Sequence, residues 1–138
     1  MFKRRFVMHI LVADPSGFHR RVMREHLMPA GMAAITEAES AFQAVSCLQC
    51  EPFDMLIADW ALLTQNEGAL LALVAHRARR SQHKMPVLAL MTRPNQSHVL
   101  HAVNNGVDMV LCKPYAPKDL RVRVDWMLAK AAEATEAA

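Results

Sequence analysis

Three cysteines in 138 residues are too few, and the wrong parity, for a disulfide framework. Cys47 and Cys50 form a C-x-x-C pair, but a redox pair of that kind sits at a helix N-terminus, where the dipole lowers a thiol pKa. Here the pair falls late in a helical pattern, just ahead of Glu51-Pro52, and reads as two small helix residues. No apolar stretch reaches the ~18 residues that would span a bilayer. The basic start, Met1-Phe2-Lys3-Arg4-Arg5-Phe6, leads into a segment broken by His9 and ended by Asp14, too short for a secretory signal. The net charge is only +3, with pI near 9.0. No helix-turn-helix, zinc-finger or RNA-binding pattern accompanies it. His98 and His101 share a helical face, yet no carboxylate or cysteine set stands nearby to complete a zinc site. The turn after the first apolar run, Pro15-Ser16-Gly17-Phe18, is a poor phosphate cradle, which argues against a flavin carrier. These absences lead to the expectation of a soluble, cytoplasmic protein that contacts neither nucleic acid nor membrane.

What is present is a core. Hydrophobic residues make up 53% of the chain, enough for one packed domain. Apolar runs alternate with helical patterns five times, the signature of an α/β domain with a parallel sheet. Strands are expected at Met8 to Ala13, Ala33 to Glu37, Met55 to Asp59, Val87 to Thr92 and Met109 to Lys113. Helices are expected at Gly17 to Met28, from the N-cap Ser40 to just before Pro52, Gly68 to Arg80, Ser97 to Asn105 and Pro117 to about Ala132. A polar loop, Thr64 to Gly68, precedes the third helix, whose His76, Arg77, Arg79 and Arg80 read as a solvated outer face. Phe18, Val22, Met23 and Leu27 form the inward stripe of the first. Strands so densely apolar are buried on both faces, and right-handed crossovers put helices on both sides of the sheet. The expected architecture is a flavodoxin-like, doubly wound, five-stranded parallel sheet in the order 2-1-3-4-5. The domain spans 8–132, with 1–7 and 133–138 as terminal extensions.

Four apolar runs end on residues of complementary chemistry: Asp14, Asp59, Thr92 and Lys113. Open parallel sheets hold their ligands at the carboxyl ends of the strands. If these runs are neighbours, two acids, a hydroxyl and an ammonium converge on one rim. Such a set can receive a phosphoryl group, because phosphoryl transfer asks mainly for positioning and neutralised charge. Burying such charges without pairing would cost several kcal/mol.

Ile10-Leu11-Val12-Ala13-Asp14, Arg20, Asp59-Trp60, Pro86-Val87 through Met91-Thr92, Ala102 through Asn105-Gly106-Val107-Asp108, and Lys113-Pro114-Tyr115 occur in that order. Over about Met8 to Leu128 the chain thereby resembles the receiver domains of two-component response regulators, the CheY-like superfamily. The resemblance implies a role for each matched residue. Asp59 is the phosphoacceptor, taking its phosphoryl group from a histidine kinase or a histidine phosphotransfer protein. Asp14, Asp59 and the backbone carbonyl of Ala61 hold Mg²⁺. Lys113 and Thr92 contact phosphoryl oxygens, and Lys113-Pro114 is a cis peptide. The implied protein catalyses its own phosphorylation and is not a turnover enzyme. It signals by docking a protein target through the face of helix 4, strand 5 and helix 5, with Arg121 and Arg123 on or beside that face.

The chain also departs from the family pattern. The family has two adjacent acids after strand one, and here the second is Pro15, which offers no carboxylate. Weakened Mg²⁺ binding is therefore expected, with Glu39 and Glu67 as candidates to compensate. Ala61-Leu62-Leu63 lacks the usual Met-Pro pair, and Gly68 comes late. Arg93 follows Thr92 where small residues are usual. Val110 stands where a rotating aromatic reports the switch, leaving Tyr115 to replace it. The alternative is a degenerate receiver that binds partners without phosphorylation.

Overall fold

The computed structural model describes residues 7–28, 33–80 and 85–137. Along the chain run β1 (Met8–Ala13), α1 (Gly17–Leu27), β2 (Ala33–Ala38), α2 (Ala41–Cys50) and β3 (Met55–Asp59). After them come α3 (Trp60–Arg80), β4 (Val87–Thr92), α4 (Gln96–Asn104), β5 (Met109–Lys113) and α5 (Pro117–Ala137). The strands form one parallel sheet in the order β2-β1-β3-β4-β5, as expected. Successive strand residues face opposite sides, and both sides are covered. Leu11, Ala13, Leu56, Ala58 and Ala89 pack with Ala44 and Leu48 of α2 and with Leu70 and Val74 of α3. Ile10, Val12, Ile57, Leu88 and Leu90 pack with Met23 and Leu27 of α1 and with Leu120, Val124 and Met127 of α5. Two covered faces explain the unbroken apolar runs of the central strands.

Local chemistry sets the helix starts. Ser16, Ser40 and Asn95 cap α1, α2 and α4, their side chains accepting from the backbone N–H of His19, Gln43 and His98. With α1 fixed by Ser16, Met23 and Leu27 face the sheet, while Phe18 is 67% exposed at the rim, lining a cleft with Lys113 and Tyr115. The inward stripe expected to include Phe18 is therefore wrong at its first residue. Gly106, just past α4, has φ +95, and a Cβ there would lie 2.9 Å from the Cβ of Ala78. Both the left-handed backbone and the approach of α3 require glycine.

Two boundaries and one surface residue differ from expectation. Helix begins at Trp60, directly after Asp59, and breaks only at Gln65–Gly68, where Asn66, Glu67 and Gly68 take φ of 53, 59 and 77. Arg77 does not lie on a wholly solvated face: its guanidinium donates to the carbonyl of Leu48 at 2.7 Å, at the C-terminal end of α2. Helix α5 continues to Ala137, past the expected end near Ala132 and into the C-terminal extension.

Candidate functional site

The parallel register brings the strand ends to one edge. Ala13 pairs with Ala58, placing Asp14 beside Asp59, and Thr92 pairs with Lys113. The Lys113 Nζ donates to Asp14 Oδ2 at 2.7 Å and to Asp59 Oδ2 at 2.6 Å. Asp14 is 1% exposed, and the side chains of Lys113 and Asp59 are 13% and 14% exposed. Burial alone would depress the lysine pKa, but the hydrogen bonds to Asp14 and Asp59, with their charges, outweigh it and hold the ammonium above its ordinary range. Lys113 is thus an ammonium shared between two carboxylates.

The remaining carboxylate oxygens are held by backbone. Asp14 Oδ1 accepts from the N–H of Ser16 at 2.8 Å, and Asp59 Oδ1 accepts from the N–H of Ala61 at 2.8 Å. The Ala61 carbonyl accepts from the Thr64 hydroxyl at 3.4 Å. Thr92 ends β4, exposed at the rim. A cleft of about 280 Å³ opens beside it, with Lys113, Pro114, Tyr115 and His19 in its walls. Burial raises the pKa of Tyr115. The Lys113–Pro114 peptide is cis, as the resemblance implies, and Arg93 has φ 51 and is exposed.

The structure therefore brings Asp14, Asp59 and Lys113 into contact and leaves Thr92 at the same edge. Glu39 and Glu67 do not join them: both are exposed, Glu67 in the left-handed turn of α3. Sequence reasoning missed His19, whose Nδ1 lies 3.2 Å from the Lys113 Nζ. Its one signal was the place of His19 three residues after the capping Ser16. Gln65 was also missed; its side chain accepts from the N–H of Ala41 at 2.9 Å, tying the loop after Asp59 to α2. His98 and His101 are exposed on α4, with ring centroids 6.0 and 5.5 Å from Trp60. Burial, then Glu51 and Cys50, push the Cys47 thiol pKa up, the opposite of a reactive cysteine.

The chain as a whole matches a known family. The model for the response regulator receiver domain matches residues 10–125. The chain belongs to that family. It is 30% identical over 122 residues to a chemotaxis protein CheY homolog of Campylobacter jejuni, covering 88% of this chain and 92% of that protein. It is 28% identical over 122 residues to chemotaxis protein CheY1 of Helicobacter pylori, covering 88% and 97%. Among solved structures, a CheY-like receiver domain from Methanospirillum hungatei superposes with a TM-score of 0.80 at 19% identity, covering 92% of this chain and 98% of that one. The receiver domain of a putative Luxo repressor from Vibrio parahaemolyticus gives 0.82 at 14% identity, covering 96% and 98%. These two share the fold. No described helix of this receiver is long and apolar enough to cross a membrane.

Receiver domains generally bind Mg²⁺ in the acidic pocket. The residues present here fit it poorly. Pro15 supplies no oxygen, and both Oδ2 atoms that could face a cation already accept from Lys113. Among the described residues, no group of three acidic, histidine or cysteine side chains is arranged to hold a metal. Mg²⁺ needs hard oxygens and sheds water reluctantly, and here it would have to displace an ammonium already bonded to both acids.

Proposed function

We propose that this receiver accepts a phosphoryl group on Asp59 and passes the signal on by docking to a protein target. The observation that carries the reading is the Lys113 ammonium bonded at once to Asp59 and Asp14, at the edge where Thr92 also ends its strand. In the transfer, an Asp59 carboxylate oxygen attacks phosphorus on a phosphohistidine of a histidine kinase or phosphotransfer protein. The P–N bond breaks, the P–O bond of an acyl phosphate forms, and the donor imidazole takes up a proton as it leaves. Lys113 then exchanges its bond to the carboxylate for one to a phosphoryl oxygen. Asp14 keeps the ammonium in place during that exchange. Thr92 hydrogen-bonds a second phosphoryl oxygen. The protein serves as acceptor and switch, without turnover of a substrate.

Asp14, Asp59 and the Ala61 carbonyl form at best a weak Mg²⁺ site, since Pro15 removes one ligand and Lys113 competes for two others. For the output, Leu100 and Val103 of α4 and Val122 and Trp126 of α5 are 51–56% exposed, apolar surface on the α4–β5–α5 side. Arg123 leans onto Met109 of β5 through a contact to its sulfur at 3.4 Å. This face suits a cytoplasmic protein partner.

The test is intact-mass spectrometry after incubation with acetyl phosphate, phosphoramidate and a phosphorylated phosphotransfer protein. A gain of one phosphoryl group, absent in Asp59→Ala, is the expected result. The engagement of every oxygen of Asp14 and Asp59 favours the second reading, a degenerate receiver that docks without phosphate. No gain from any donor would favour that reading over the first.

A further inference from the structure

The geometry points to His19 as a positioning residue that fixes the Lys113 ammonium as a cation of the phosphoacceptor pocket, beside the turn where Pro15 stands in place of an acid. An ammonium has three protons to donate. Lys113 gives two to Asp14 Oδ2 and Asp59 Oδ2, and the third faces His19 Nδ1 at 3.2 Å. Because the ammonium can only donate, Nδ1 is the accepting nitrogen and the ring proton sits on Nε2. Asp14 Oδ1 lies at 3.8 Å from the same nitrogen, beyond hydrogen-bond reach.

A closed ring of contacts delivers His19 to this place. Asp14 Oδ1 accepts from the N–H of Ser16, a turn that leaves proline free at the residue between. The Ser16 hydroxyl accepts from the N–H of His19 at 3.2 Å, His19 accepts from Lys113, and Lys113 returns to Asp14. Pro15 fixes its own φ at the middle of that turn. The residue that removes a metal ligand thus stands inside the turn that presents the imidazole. Three partners hold the ammonium in one direction, so its charge is already aimed at Asp59 before a phosphoryl group arrives. That advance placement is how fixed dipoles and charges aid transfer without reorganisation.

The inference rests on Asp59 being the phosphoacceptor, and two readouts separate its failure from the failure of that reading. The first needs no phosphate: ¹⁵N NMR of the Lys113 side-chain ammonium. A resonance protected from water exchange is expected in the wild type, lost in His19→Ala, and retained in His19→Asn, whose carbonyl oxygen can take the place of Nδ1. The second is the rate of Asp59 phosphorylation by acetyl phosphate in excess EDTA. His19→Ala is expected to lower it about 10-fold, the loss of one aligned charge contact of about 1.4 kcal/mol, with His19→Asn restoring most of the rate. In a Lys113→Ala background His19→Ala should have no further effect, since the two act as a unit. Unchanged ammonium protection in His19→Ala would overturn the inference. So would an equal rate loss with and without Lys113. A wild type with a protected ammonium but no phosphorylation would overturn the phosphoacceptor reading and the role of His19 in transfer, while leaving the anchoring measured.

Discussion

Two carboxylate–cation clusters flank α1, and they are charged in opposite proportion. At the α1–β2 junction one acid meets two guanidinium groups. Arg20 Nε donates to Glu37 Oε1 at 3.0 Å, Arg24 Nε donates to Oε2 at 2.9 Å, and the terminal nitrogen of Arg24 lies 2.8 Å from Oε2. At the sheet edge one ammonium meets two acids, Asp14 and Asp59. Glu37 is over-compensated and clamped by charge-assisted hydrogen bonds, one arginine on each carboxylate oxygen. The edge cluster is short of positive charge, and its one cation is a compact ammonium on a flexible stem. Surplus cation fastens an element. A deficit, held ready at a strand end, can take up an oxygen-rich group only by exchanging partners. Composition alone would call both clusters salt bridges; the stoichiometry distinguishes the fastener from the site.

Asp59→Asn should break the comparison most completely. It should abolish phosphoryl uptake, read by intact mass, while the melting temperature does not fall, because one of two like charges sharing a single ammonium has been removed. A marked loss of stability would mean that the edge cluster is a fastener too. Next in size is Lys113→Met, which leaves two largely buried carboxylates without their cation. It should cost about 2–3 kcal/mol in urea unfolding, toward the low end for broken buried pairs because the site is partly open. The pKa of Lys113 is raised by folding, so its contribution is complete below the ordinary value of 10.5 and is lost as pH rises through the folded value. The stability gap between Lys113→Met and wild type should therefore close only in strong alkali.

Glu37→Gln should have a smaller effect with the opposite pH dependence. Burial would raise the Glu37 pKa, but hydrogen bonds from Arg24 and Arg20 outweigh it and hold the carboxyl below its ordinary 4.5. Its contribution is present above that value and is lost as pH falls through the folded pKa. About 1 kcal/mol is expected at neutral pH, since the side chain is 29% exposed. The gap from wild type should shrink in thermal melts as the pH falls below 4.5. Glu67→Gly should give the smallest change, a gain of about 0.5–1 kcal/mol from relieving a left-handed residue at φ 59, with no effect on phosphorylation.

Much of the edge cluster was legible in the sequence because each member ends an apolar run. In a parallel sheet, run ends become neighbours, so Asp14, Asp59, Thr92 and Lys113 could be placed without coordinates. His19 could not. It is an ordinary helix residue until Ser16 caps α1 and β5 brings Lys113 across 94 positions of chain. Phe18 was misplaced for a related reason: its apolar character fits a stripe whose phase the cap decides. The clamp on Glu37 was hidden because α1 residues meet β2 only through packing, and Arg20 was noted for its resemblance rather than its partner. Glycine at 106 was readable as a helix stop, but its contact with Ala78 was not. What escapes the sequence is contact between elements whose relative rotation no local pattern fixes.

The most direct test of the account is the position of the modified residue after reaction with a phosphodonor. Borohydride reduces an acyl phosphate to a primary alcohol and releases phosphate, converting the modified aspartate to homoserine, which peptide sequencing by mass spectrometry locates. Homoserine at position 59 alone is expected, formed with EDTA present as well as with Mg²⁺. Homoserine at another acid, or none at all after treatment with every donor, would contradict it.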